Sequence, residues 1–114
     1  MHIAKLILLY DYYGNLLTDR QRICFEMRYN LDYSLSEIGR EMGISRQAVH
    51  DNLARTEALL INMEEKTGCV HRDQLCRKML GEILVAAIEL RESPDYDTSA
   101  AAQRIISAAE AIKE

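Results

Sequence analysis

The polar side chains best suited to binding a ligand crowd into one stretch, Ser45-Arg46-Gln47-Ala48-Val49-His50-Asp51-Asn52-Leu53-Ala54-Arg55. Arg46 and Arg55 carry planar, permanently charged guanidinium groups, which match the geometry of a phosphate. Ser45 precedes a helical pattern, and the free backbone N–H groups of a helix start would assist an anion held by Arg46. Gln47 and Asn52 each pair a donor with an acceptor, the requirement for reading a base edge. His50 can meet a phosphate or a base. Together these residues point to recognition of nucleic acid. Each also has a plainer role. The arginines can be solvated or paired along the helix with Asp51, His50 can be an ordinary surface histidine, and Asn52 lies toward the core side of the wheel.

Nothing comparable supports catalysis. The chain has no glycine-rich phosphate loop, no Gly-x-Ser-x-Gly and no His-Glu-x-x-His. Glu64 and Glu65 are adjacent, so a helix points them to different sides. Cys69, His71 and Cys76 are a conceivable metal set, but they lack the close cysteine pairs that zinc sites use. Cys24 reads as a small core residue. No metal or cofactor is expected.

The elements that must position the stretch are legible around it. Ser34 and Glu37 form a capping box, and Leu35, Ile38 and Met42 share a face of the helix that follows. Gly43 can end that helix in the left-handed conformation. Ile44 plugs the core, and Ser45 caps the next helix. Val49, Leu53, Thr56, Leu60 and Met63 then form one seam. Gly39 supplies the small residue needed where two helices cross. The pattern is that of a helix-turn-helix whose second helix would enter a major groove. An ordinary helical hairpin is the alternative.

The flanking chain is helical too. Ile3 to Tyr13 is amphipathic and Gly14-Asn15 closes it. Thr18, with Gln21, caps a helix from about Asp19 to Tyr29, and Asn30 to Tyr33 form a turn. The second motif helix runs on to about Thr67, over roughly 30 Å at 1.5 Å per residue, so later helices or a second copy of the chain must cover Leu59, Leu60 and Met63. Residues 69–91 carry a stripe of Leu75, Met79, Leu80, Ile83, Leu84, Ala87 and Ile88, read as core with room for a dimer interface. Pro94 stops this helix, and Thr98 is taken to cap a last, alanine-rich one. Nothing reads as a strand. The expected fold is all-α, with about six helices in a single domain over 1–114, a helix-turn-helix core at 17–60 and a C-terminal extension at 69–114.

Charge sets a limit on the partners. The chain has 14 basic and 18 acidic residues, a net charge of −4, where dedicated DNA binders usually show a basic face. Arg20, Arg22, Arg28 and Arg40 could extend a basic patch, but Glu26, Glu37 and Glu41 lie near enough in sequence to neutralise them. The tyrosines Tyr10, Tyr12, Tyr13, Tyr29 and Tyr33 could stack on RNA bases, though their helical spacing suits core or interface positions better. No apolar run approaches the ~20 residues of a membrane span. KLILLYDYY lacks the length and cleavage site of a signal peptide, so a cytoplasmic protein is expected.

Leu17-Thr18-Asp19-Arg20-Gln21-Arg22 with Met27-Arg28-Tyr29 resembles the opening of region 4 of bacterial sigma factors. Asp32-Tyr33-Ser34-Leu35-Ser36-Glu37-Ile38, Ser45-Arg46-Gln47-Ala48-Val49, Asp51-Asn52 and Arg55-Thr56-Glu57 resemble the YlxM family more closely, as does Tyr10-Asp11-Tyr12-Tyr13. The resemblance spans about residues 3 to 80. It implies a small bacterial regulator of the signal recognition particle pathway, whose partner would be the particle's RNA, its GTPase, or DNA. Sigma region 4 carries more basic residues where this chain has Ala48, Asp51 and Ala54. The expected function is therefore non-catalytic regulation of co-translational targeting by a homodimer, with Ser45, Arg46, Gln47, His50 and Arg55 as the binding residues. A DNA-binding transcriptional regulator is the alternative.

Overall fold

The computed structural model describes residues 3–113. They form six α-helices, α1 (Ile3–Tyr13), α2 (Asp19–Tyr29), α3 (Leu35–Met42), α4 (Arg46–Thr67), α5 (Cys69–Arg91) and α6 (Tyr96–Lys113), with a 3-10 turn at Gly14–Leu16. Among the described residues there is no strand, and no helix is long and apolar enough to cross a membrane. The chain divides into two compact units, one ending at Val70 and one beginning at His71.

The local signals act as read. The hydroxyls of Thr18 and Ser34 accept the backbone N–H of Gln21 and Glu37, whose side chains return the bond in two capping boxes. Bonding to the Ser34 backbone and hydroxyl holds the Glu37 carboxyl below its ordinary range. Gly43 ends α3 at φ 70°, and the Ile44 N–H donates to the Gly39 carbonyl at 2.9 Å. A Cβ on Gly39 would stand 2.7 Å from the Ile44 oxygen, so glycine is what permits the close turn. Ser45 Oγ accepts the Ala48 N–H at 3.0 Å.

The first unit has two clusters in its core. Cys24, Ile38, Val49 and Leu53 lock α2, α3 and the first half of α4 together. Burial pushes the Cys24 thiol up. Leu6, Leu9, Tyr13, Leu17, Phe25, Leu60 and Val70 form the other, with Met63 packed against it. The cover for the second half of α4 is therefore chiefly α1, at the opposite end of the chain from the one anticipated; α5 adds Val70. Tyr13 joins these pieces: its hydroxyl donates to Glu64 Oε1 at 2.6 Å and lies 2.6 Å from Thr67 Oγ1. The same Glu64 oxygen accepts the Val70 N–H at 3.0 Å. Tyr10 stacks on Phe25 at 4.4 Å, and Tyr29 tilts against that ring at 4.6 Å, so these tyrosines are structural.

The second unit is thin. Its buried side chains are Ala87, Ala102, Ile106 and Ala109. Leu75, Met79, Ile83 and Leu90 are each 40–50 % exposed, which corrects the reading of the α5 stripe as core. The start of α6 differs too. Asp95, not Thr98, is the cap, its Oδ2 accepting the Thr98 N–H at 3.1 Å and hydroxyl at 2.6 Å. An aspartate is as good an N-cap as a threonine, and here it also follows the helix-stopping Pro94. The turn closes with Ser99 Oγ donating to the Arg91 carbonyl at 2.9 Å.

Candidate nucleic-acid interface

The five residues singled out above lie at the start of α4 and around its exposed sides; nine residues apart, Arg46 and Arg55 leave opposite sides of the helix. With Val49, Leu53, Thr56 and Leu60 turned inward, Ser45, Arg46, Gln47, His50 and Arg55 are all exposed. They are not equally available. The Ser45 Oγ accepts the Ala48 N–H as the cap of α4, which leaves the hydroxyl's own O–H to donate. Gln47 Nε2 donates to Asp51 Oδ1 at 3.0 Å, so reading a base with both ends of that amide requires releasing Asp51. His50 Nδ1 lies 3.6 Å from the same oxygen. Asp51 is thus engaged by Gln47 and His50, and neither Arg46 nor Arg55 pairs with it or with any acid among the described residues. The pairing that would have made these arginines inert does not form.

The structure separates them. Arg46 begins α4, while Arg55 lies farther along the helix, in a cleft against the start of α2. That cleft holds about 440 Å³ and is lined by Thr18, Arg20, Gln21, Ile44, Ala48, Asp51, Asn52 and Arg55. Arg20 therefore faces the same opening as Arg55. It too pairs with no acid among the described residues. Arg22 behaves differently: its Nη2 donates to Asp19 Oδ1 at 2.5 Å, and it lines another cleft, with Tyr10, Asp11, Asp19 and Glu26. Glu26 accepts from the Tyr10 hydroxyl at 2.9 Å, and Glu37 is engaged at its capping box. Of the acids expected to neutralise these arginines, Glu26 and Glu37 are bonded to other groups, and the acid that pairs with Arg22, Asp19, sits within the first turn of α2 itself. Arg28 donates to the Tyr33 carbonyl at 3.0 Å.

Arg20 was undervalued in the sequence, although a signal was present. It lies one turn before Cys24, the residue through which α2 meets Val49 and Leu53, so it continues the α4-facing side of α2 beyond the end of the core.

The arrangement is a helix-turn-helix whose second helix is exposed along its outer face, with unpaired guanidinium groups, among the described residues, at its start and, on the other side, near its middle. A family model described as "Putative helix-turn-helix protein, YlxM / p13 like" matches residues 2–97. The chain belongs to this family. A UPF0122 protein of Thermoanaerobacter sp. strain X514 is 51% identical over 85 residues, 75% of this chain and 73% of the relative. One from Desulforamulus reducens is 45% identical over 93 residues, 80% of each chain. One from Symbiobacterium thermophilum is 38% identical over 106 residues, 93% of this chain and 92% of the relative. The family match runs past the residue-80 limit read from sequence and stops just inside α6, so most of the alanine-rich last helix lies outside it.

Proposed function

We propose that this YlxM-like protein is a non-catalytic, cytoplasmic regulator that binds nucleic acid with the outer face of α4. The observation that carries this reading is the set of arginines, Arg20, Arg46 and Arg55, that flank that face without acid partners. Unpaired guanidinium groups are what phosphate contacts use, and they favour a nucleic acid over the GTPase as first partner. The family resemblance supplies the setting, the signal recognition particle pathway, with the particle's RNA as the ligand. Control of transcription through DNA is the second reading, favoured by the motif itself. A basic strip of Arg46, Arg55 and Arg22 would favour that reading, and the pairing of Arg22 with Asp19 weighs against it.

The protein acts as a homodimer in this proposal. Among the described residues of the second unit, Ile106 is the one large buried side chain. Full burial of such a residue contributes about 1.5–3 kcal/mol, while ordering a residue's backbone costs about 1–2 kcal/mol. A second copy laid along Leu75, Met79, Ile83 and Leu90 offsets that deficit.

The test of function is a salt titration of binding to the particle RNA, the GTPase and random duplex DNA, with an Arg46→Ala/Arg55→Ala variant. Tight RNA binding that weakens in the variant supports the targeting role. Preference for duplex DNA would favour transcription control, and GTPase binding indifferent to the substitutions would move the site off α4.

A further inference from the structure

The cleft at Arg20 and Arg55 does not end at Arg55. A second hollow of about 490 Å³ continues along α4, lined by Gln21, Arg55, Ala58, Leu59 and Asn62. The two share Gln21 and Arg55, so they form one trough with two chemical halves. The first half brings two unpaired guanidinium groups toward one opening, beside the Asn52 amide, whose oxygen is held by Thr56 Oγ1 at 3.5 Å. Its one acid, Asp51, is engaged by Gln47. The second half has an apolar floor of Ala58 and Leu59. Leu59 is 38 % exposed, although Leu60 beside it is fully buried. Asn62 and Gln21 edge that floor with amides able both to donate and to accept.

We infer that this trough binds one unpaired nucleotide of a single-stranded or looped nucleic acid. Its phosphate lies between Arg20 and Arg55, its base rests on Ala58 and Leu59, and the polar edge of the base meets Asn62 and Gln21. A guanidinium pair beside an apolar floor matches the charge and the face of a nucleotide in that order. A paired base cannot reach the floor, because its face is covered within the stack and its polar edge is taken by its complement. The trough therefore selects unpaired over duplex strands. This inference rests on the reading of the protein as a nucleic-acid binder and adds the state of the nucleotide that it recognises.

The test uses the full-length protein in two measurements. Isotope-labelled protein is titrated with inorganic phosphate, ribose 5-phosphate and each nucleoside 5′-monophosphate, following the Leu59 methyls and the Asn62 side-chain amide by NMR. Labelled single-stranded RNA and DNA, and duplexes of the same sequence, are then bound to the wild type and to Arg20→Ala, Leu59→Ser, Asn62→Ala and Arg46→Ala variants. Monophosphates are expected to shift Leu59 and Asn62 where inorganic phosphate does not. Single strands should bind in preference to duplex, with Arg20→Ala about tenfold weaker, in the range of a lost phosphate contact. Leu59→Ser should remove the single-strand preference and leave duplex binding unchanged; its exposure makes it compatible with the fold, which a thermal melt checks. Equal binding of single strand and duplex, or Leu59 and Asn62 resonances indifferent to every monophosphate, overturns the nucleotide site. If Arg46→Ala weakens binding in that case, recognition by α4 stands without the trough. Absence of nucleic-acid binding by the wild type overturns both. RNA against DNA strands tells which sugar the trough accepts.

Discussion

Gly39 and two tyrosines illustrate how much single positions decide. A methyl group at Gly39 would meet the Ile44 carbonyl at 2.7 Å, inside contact distance and against backbone that cannot swing away. Gly39→Ala gains helix propensity but must open the α3–α4 turn, and the net loss should be about 1–3 kcal/mol in urea unfolding; an unchanged midpoint would show that the turn can yield. Tyr10 and Tyr29 have hydroxyls pushed up to about 12, first by burial and then by the Glu26 and Glu57 carboxylates that accept from them. A folded value above the ordinary 10 means that the neutral hydroxyl is favoured by folding. This stabilisation is complete below pH 10 and is lost as pH rises through about 12. Urea midpoints measured across that window should fall, and fall less steeply in Tyr29→Phe. A flat profile would dissociate these bonds from stability. Residues that work through local geometry, such as Ser34, Gly43 and Ser45, were legible in the sequence. The sites that depend on which acid reaches which arginine were not, because Asp19, Glu26 and Asp51 choose partners by three-dimensional distance.

Element boundaries were the most readable level, since caps, glycines and seams are written within a few residues of one another. Ser45→Ala should cost about 1 kcal/mol of stability by removing the cap of α4. The seam also makes a sharper claim about neighbours. Leu60 is fully buried and Leu59 is open, so Leu60→Ala should cost about 2–5 kcal/mol and Leu59→Ala within about 0.5 kcal/mol, compared in parallel urea melts. What periodicity could not supply was the partner of each seam. The second half of α4 needed a cover, and its amphipathic pattern is equally compatible with α1, α5 or another copy. The choice of α1 is fixed by Leu6, Leu9 and Tyr13 reaching Leu60, Glu64 and Thr67. The α5 stripe failed for the mirror-image reason: a good apolar stripe does not itself bury anything.

The whole molecule pairs a well-filled unit with one that is almost without a core. The first closes two clusters around α4; the second has three alanines and Ile106. A peptide of residues 71–114 should accordingly be helical only at high concentration, its circular dichroism rising with peptide concentration as copies associate. Concentration-independent helicity would mean that two helices suffice. If the proposed dimer forms along this stripe, Leu75→Glu/Ile83→Glu in the intact protein should shift sedimentation toward the monomer, and a wild type that sediments as a monomer would overturn the dimer.

The Tyr13 contact with Glu64 and Thr67 also sets an order in time. A growing chain emerges from its N-terminus, so α1 appears first, yet the residues that receive it are made last within its unit. The helix-turn-helix needs only α2, α3 and the start of α4, and its contacts are close in sequence, which favours early formation. During synthesis the helix-turn-helix can thus assemble before Glu64 and Thr67 are made, and the cluster around Leu6, Leu9 and Tyr13 is complete only when Val70 arrives.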